Sequence, residues 1–150
     1  MSISYDDLET YLDWVKVKAD LNFSDKERED FPIYYNCIYW AYMGSNVGSE
    51  EGKHRPVLVT RTYKDSPICV VLPLTSKRLN DDKPYHVDLK KHDSTVLCEQ
   101  MRIIDTKRID KPMLKNGRIA TIINDDWKLI DFQVRKQYSL SKLPEQKGKK

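Results

Sequence analysis

Residues Gly44 to Pro56, Gly-Ser-Asn-Val-Gly-Ser-Glu-Glu-Gly-Lys-His-Arg-Pro, carry three glycines and a dense set of charged groups just before an apolar run. The glycines give this stretch the backbone freedom of a loop. Arg55-Pro56 fixes its exit, because proline sets its own φ and pushes the preceding residue toward extended geometry. Arg55 is therefore expected as an oriented cation at the mouth of a strand. A guanidinium there presents a planar fork to phosphate oxygens; it can equally pair with Glu50 or Glu51, and the spacing does not separate the two readings. Thr75 and Ser76 end a second apolar run, Val70-Val71-Leu72-Pro73-Leu74. Their hydroxyls can hold a phosphate or can cap the strand end. A cation and hydroxyls meeting at one sheet edge would suit a phosphoryl transition state without a metal.

Other chemistry-bearing residues give weaker signals. His54, His86 and His92 have no second histidine nearby to complete an acid-base pair, and they read as strand or surface residues. Glu99, Gln100 and Arg102 fall in an apolar run whose alternation places polar groups on both faces, so some must be paired inside. Trp40, Tyr42 and Tyr63 have faces on which bases could stack, with core packing the simpler use of Trp40.

The elements that must position these groups divide the chain into three zones. Leu8, Leu12, Val15 and Ala19 repeat at helical spacing, with Ser4 and Asp7 as a capping box. Ser24 with Glu27 repeats that signature before Phe31-Pro32 closes the zone. Short runs rich in Val, Ile, Leu, Tyr and Thr follow at Cys37–Tyr42, Pro56–Tyr63, Ile68–Leu74, Tyr85–Leu89 and Val96–Ile104. Five such strands predict a small, strongly bent sheet or barrel. Lys64-Asp65-Ser66-Pro67 reads as the turn of a hairpin, so Arg55 and Thr75 should be near neighbours. Ile119–Ile123 offers one more strand, and Asn124 or Asp125 can cap a helix that presents Trp127, Ile130 and Val134 on one face.

Composition narrows the class. The 150 residues fit one domain, and 39% hydrophobic with 33% charged residues supplies one core in a soluble protein. Pro67–Leu74, the longest apolar stretch, is far short of a membrane span, and the acidic start lacks the order of a signal peptide. Cys37, Cys69 and Cys98 have neither zinc nor redox spacing and read as buried small hydrophobes in a reducing, cytoplasmic setting. Net charge is −5 over residues 1–34, +3 over 35–134 and +5 over 135–150. Such an acidic head and basic tail suggest a polyanionic or acidic partner.

Ile38-Tyr39-Trp40, Gly44 through Glu50, His54-Arg55-Pro56-Val57-Leu58-Val59, Val71-Leu72-Pro73-Leu74-Thr75-Ser76 and Val96-Leu97-Cys98-Glu99-Gln100-Met101-Arg102-Ile103-Ile104-Asp105 together resemble the MazF/PemK toxins of bacterial toxin-antitoxin systems. The order and approximate spacing are kept from about residue 36 to 140. The resemblance implies an α+β fold built on an SH3-like small barrel, usually a homodimer, that cuts single-stranded RNA and is held inactive by an antitoxin. It places the catalytic arginine on Arg55, the catalytic threonine on Thr75 with Ser76 alongside, and the loop glutamate on Glu50. In that mechanism the ribose 2′-hydroxyl attacks the adjacent phosphorus without metal or other cofactor, leaving a 2′,3′-cyclic phosphate and a 5′-hydroxyl. Ser76, His54, Lys53, Lys77 and Arg78 would contact RNA, and Lys90 and Lys91 would add general phosphate contacts. Glu99 and Gln100 would support the fold or a dimer, and Arg102 is unassigned.

The chain departs from the pattern at its start. About 35 residues precede the Ile-Tyr-Trp strand, and Asn36-Cys37 replaces the usual Gly-Asp or Gly-Glu. The expected layout is a helical extension over 1–34, a barrel domain over 35–140 and a basic tail over 141–150. The acidic extension could cover the RNA groove, replace part of an antitoxin or extend a dimer contact. A rival from another class is a CcdB-like toxin, which poisons gyrase on the same barrel without cutting nucleic acid.

Overall fold

The computed structural model describes residues 2–24 and 31–141. The chain runs α1 (Tyr5–Phe23), β1 (Ile38–Tyr42), β2 (His54–Thr62), β3 (Ile68–Thr75), β4 (His86–Asp88), β5 (Thr95–Leu97), β6 (Arg102–Asp105), a 3-10 turn (Thr106–Arg108), β7 (Ile109–Pro112), β8 (Leu114–Lys115), β9 (Arg118–Ile119) and α2 (Asn124–Gln137). Seven strands form one antiparallel sheet in the order β4-β5-β3-β2-β1-β7, with β6 also paired to β3. The Lys64–Pro67 turn does join β2 to β3 as neighbours.

Alternation along the strands makes two cores. Ile38, Leu58, Leu72, Leu74, Val87 and Val96 point to one face and meet Ile130 of α2, with Trp127 and Val134 packed beside it. The face predicted for that helix is therefore the one it buries. Tyr39, Val57, Val59, Cys69 and Val71 point to the other face and meet Ile104 and Ile109, where the 3-10 turn carries the chain from β6 to β7 and curls the sheet over them. Each fully buried Leu or Ile in these clusters contributes about 1.5 to 3 kcal/mol. All three cysteines are buried, as their small apolar character suggested.

Several expectations need correction. The run Val96–Ile104 is not one strand: it breaks after Leu97 and resumes at Arg102. Both pieces pair with β3, with Leu74 opposite Val96 but Val71 opposite Arg102, so three residues are looped out between them. Glu99 and Gln100 lie in that loop, and strand alternation does not govern their side chains. β7 was not anticipated, because Ile-Asp-Lys-Pro has too little apolar content to stand out; Pro112 is tolerated because β7 is an edge strand. Ile119 lies in a two-stranded hairpin closed by Asn116-Gly117, both at positive φ, in place of a strand over 119–123. Neither Asn124 nor Asp125 caps α2; Ile123 holds the cap position without a side-chain bond, and Asp125 and Asp126 favour the helix start through their charge.

Ser4 caps α1 as expected, its Oγ accepting from the Asp7 amide at 3.1 Å. The stripe at Leu8, Leu12 and Val15, however, stays 42 to 49% exposed. The half-buried residues of α1 are Trp14 and Leu21, on another side of the helix. The second capping signal at Ser24/Glu27 and the basic tail after Ser141 lie outside the described residues, wholly or in part.

Candidate active site

The β2–β3 register builds the site. Val57 pairs with Pro73, and the same count sets Arg55 across from Thr75. Thr75 in turn pairs with Thr95, and Thr95 with Asp88. Laterally paired residues share a face. Arg55, Thr75, Thr95, Asp88 and, two residues along, His86 thus share the face that carries Val57 and Val59 deeper in the barrel. At this end the face is uncovered, and it opens into a cleft of about 1260 Å³.

Arg55 is mostly buried and firmly held. Its Nε donates to the Gly52 carbonyl at 2.5 Å, and Nη1 lies 2.5 Å from Glu51 Oε2 and 3.4 Å from the Leu74 carbonyl. Of the two sequence readings of Arg55, the pairing with a loop carboxylate is present, and the side chain also lines the cleft. That carboxylate is Glu51. Glu50 instead accepts from the Val47 amide at 3.1 Å and shapes the exposed turn of the loop. Thr75 Oγ1 accepts from Lys77 N at 3.3 Å, which settles its local role as a strand-end turn while leaving the hydroxyl at the cleft wall. Ser76, Lys77, Arg78, Lys53, Glu50 and His54 also line the cleft.

His54 is less free than its position suggested. Its Nε2 lies 3.1 Å from Asp110 Oδ2, and its ring packs on Trp40 and Tyr42 with centroids 5.5 and 4.6 Å away. Trp40 and Tyr42 are accordingly occupied by a histidine ring.

Sequence reasoning missed three features of this wall. Glu51 and Gln100 form the first: Gln100 Oε1 accepts from the Glu51 amide at 2.8 Å and Nε2 donates to the Ser49 carbonyl at 3.3 Å, fastening the loop from 49 residues further along. The second is His86, whose Nδ1 lies 2.8 Å from Asp81 and Nε2 2.7 Å from Glu99. The third is Asp88, which accepts from Thr95 Oγ1 at 2.6 Å and from the Asn80 amide at 2.9 Å, tying the segment after Arg78 to β4.

The two carboxylates on His86 differ in environment. Burial raises the Glu99 pKa, partly offset by His86, and its Oε1 is buried without a partner. Asp81 is half-buried; desolvation works upward, but the Lys83 amide, His86 and Arg78 outweigh it and hold the carboxyl low. For Glu99 a raised folded-state pKa means stability that is present below the ordinary value of 4.5 and lost as pH rises through the higher value. Glu99→Gln should remove that loss. Urea unfolding across this range should show a flatter pH profile for the variant, and an unchanged slope would contradict the assignment.

The fold and cleft define a small antiparallel barrel whose open end presents a cation, hydroxyls and peripheral lysines. Residues 36–138 match the family described as PemK-like, MazF-like toxin of type II toxin-antitoxin system, and the chain belongs to that family. It is 35% identical over 81 residues to Endoribonuclease EndoA of Bacillus subtilis, covering 48% of this chain and 70% of that protein. Solved structures agree on the fold. MazF from Deinococcus radiodurans superposes with TM-score 0.59 at 20% identity, covering 71% of this chain and 96% of that one. The MazE-MazF complex from the same organism gives 0.57 at 20% identity, covering 75% and 100%. α1 lies wholly outside the family match.

Proposed function

We propose that this chain is the toxin of a type II toxin-antitoxin pair and acts as a metal-independent, sequence-selective endoribonuclease on single-stranded RNA. The observation that carries the reading is that Arg55 and Thr75 share one sheet face and line the same open cleft, which Lys53, Lys77 and Arg78 also line. Family membership and the EndoA relative support the reaction class. The CcdB-like alternative is not favoured, because the matched family is MazF/PemK and the cleft retains both the cation and the hydroxyl.

In the proposed reaction the ribose 2′-hydroxyl attacks the adjacent phosphorus, the bond to the 5′-oxygen breaks, and a 2′,3′-cyclic phosphate and a 5′-hydroxyl result. Glu51 is a stand-in for the substrate: in the free protein its carboxylate occupies the guanidinium fork, and an incoming phosphate takes its place. Arg55 then neutralises charge that grows on the phosphorane oxygens. Thr75 orients the phosphate by hydrogen bonding. Glu50, exposed on the same loop, accepts the 2′-hydroxyl proton, and His54, Ser76 and the surrounding lysines hold the flanking backbone. Since base identity in single strands is read by stacking and edge contacts, the loop shape sets the cleavage sequence.

We further propose a proteinaceous antitoxin, by analogy with the MazE-MazF complex, and a homodimeric state, as the resemblance to MazF/PemK toxins implies. A cytoplasmic site of action fits three buried cysteines whose sequence spacing suits neither zinc nor a redox pair. Among the described residues no helix is long and apolar enough to cross a membrane. The layout proposed is a barrel domain over 35–140 flanked by the 1–34 extension and a basic 141–150 tail.

Incubating the purified protein with a long RNA in EDTA and mapping the new ends tests the reading. Discrete cuts bearing 5′-hydroxyls are expected, and cutting that appears only with magnesium would overturn it.

A further inference from the structure

The loop that carries Glu50, Glu51 and Gly52 is a wall with space on both sides. The main cleft lies on one side, and a second cavity of about 620 Å³, lined by Met43, Val47, Glu51, Met101 and Arg102 among others, lies on the other. Its position therefore depends on how its root is held. Met43 N donates to the Lys53 carbonyl at 2.7 Å, and Lys53 N donates to the Gly44 carbonyl at 2.5 Å, which closes the root. Two arginines brace the strand leading into it: Arg108 Nη1 donates to the Tyr42 carbonyl at 3.1 Å, and Arg102 Nη1 to the Met43 carbonyl at 2.7 Å.

α1 reaches this root through Trp14. Gly44 has a φ of +96°, which favours glycine, and the Trp14 ring lies so close that a Cβ there would sit 3.0 Å from its Cζ2 and crowd it. The Arg108 guanidinium stands over the same ring, 5.7 Å from its centroid. No residue of 2–24 lines the main cleft. The helix thus lies behind the loop, where it can hold the hinge without covering the RNA path.

We propose that Trp14 is a positioning residue for the active-site loop: by seating on Gly44 and under Arg108, it fixes the loop root and so the Gly52 carbonyl that holds Arg55 Nε. The catalytic half of this statement rests on the nuclease reading; the structural half does not. The extension outside the family match then serves as a brace on the loop.

The test uses the full chain with Trp14→Ala and Trp14→Phe, read by amide hydrogen exchange and by RNA cleavage in EDTA. Trp14→Ala should speed exchange across residues 44–53 while β2 and β3 keep their protection, and should lower kcat about tenfold, the scale of a small misplacement at a reacting centre. Trp14→Phe, which keeps an aromatic face for Arg108, should restore most of both. Unchanged exchange over 44–53 would overturn the proposal, as would a uniform loss of protection that includes β2 and β3. If wild type cuts no RNA in EDTA yet Trp14→Ala still loosens the loop, the brace stands and the nuclease reading falls.

Discussion

Arg55→Ala should lower the rate of RNA cleavage by about 10²- to 10³-fold, the usual effect of removing one donor aimed at developing charge. The loss should appear mainly in kcat. A phosphorane carries more charge on its non-bridging oxygens than the ground-state diester does, so the guanidinium interacts more strongly with the transition state than with bound RNA. RNA binding should survive better, because Lys53, Lys77 and Arg78 share the backbone contacts. Arg55→Lys should recover only part of the rate: an ammonium supplies the charge but not the planar fork, and it cannot reproduce the Nε bond to Gly52 together with the contact that Glu51 now makes. Initial rates at saturating RNA, paired with a binding measurement on a non-cleavable strand, check both statements. Full activity in Arg55→Ala would remove the basis of the mechanism.

Much of this site is legible in the amino-acid sequence. Proline after Arg55, a four-residue turn between two apolar runs and hydroxyls at the end of the second run are local signals, and in an antiparallel hairpin they bring the two ends together. The exact partner is not local: the register at the turn would set Arg55 against Ser76, and a bulge between Val59 and Arg61 moves it by one residue, so that the count from Val57–Pro73 brings Thr75 opposite Arg55. Ser4 and the Trp127/Ile130/Val134 face are legible for the same reason, since cap and helix period are local.

What is not legible depends on contacts distant in sequence. Gln100 reaches a loop 49 residues away, and no pattern near either residue signals that bond. The break at Cys98–Met101 keeps strand-like composition on both sides, and only the three-residue slip against β3 reveals it. His86 gathers Asp81 from before its strand and Glu99 from beyond the next, so a search for a second histidine looks for the wrong partner. The apolar stripe of α1 misleads differently. Helical spacing correctly predicts the helix, but Trp14, off the stripe, is the residue for which the barrel has a matching glycine and arginine.

The second large effect concerns the nucleophile. If the protein supplies positioning, charge stabilisation and a proton acceptor but no nucleophile, the attacking group must come from the RNA, and deleting one oxygen from the substrate should do more harm than any single protein variant. The most direct measurement is cleavage in EDTA of a short RNA carrying a single 2′-deoxy nucleotide on the 5′ side of the mapped scissile phosphate, beside the all-ribose strand. The account predicts that the deoxy strand still binds and is not cut at that bond, while the ribose strand yields a cyclic phosphate. Cutting of the deoxy strand at the same bond would mean that water or a protein group attacks phosphorus, and would contradict the assignment of Arg55 and Thr75 to a reaction driven by the ribose hydroxyl.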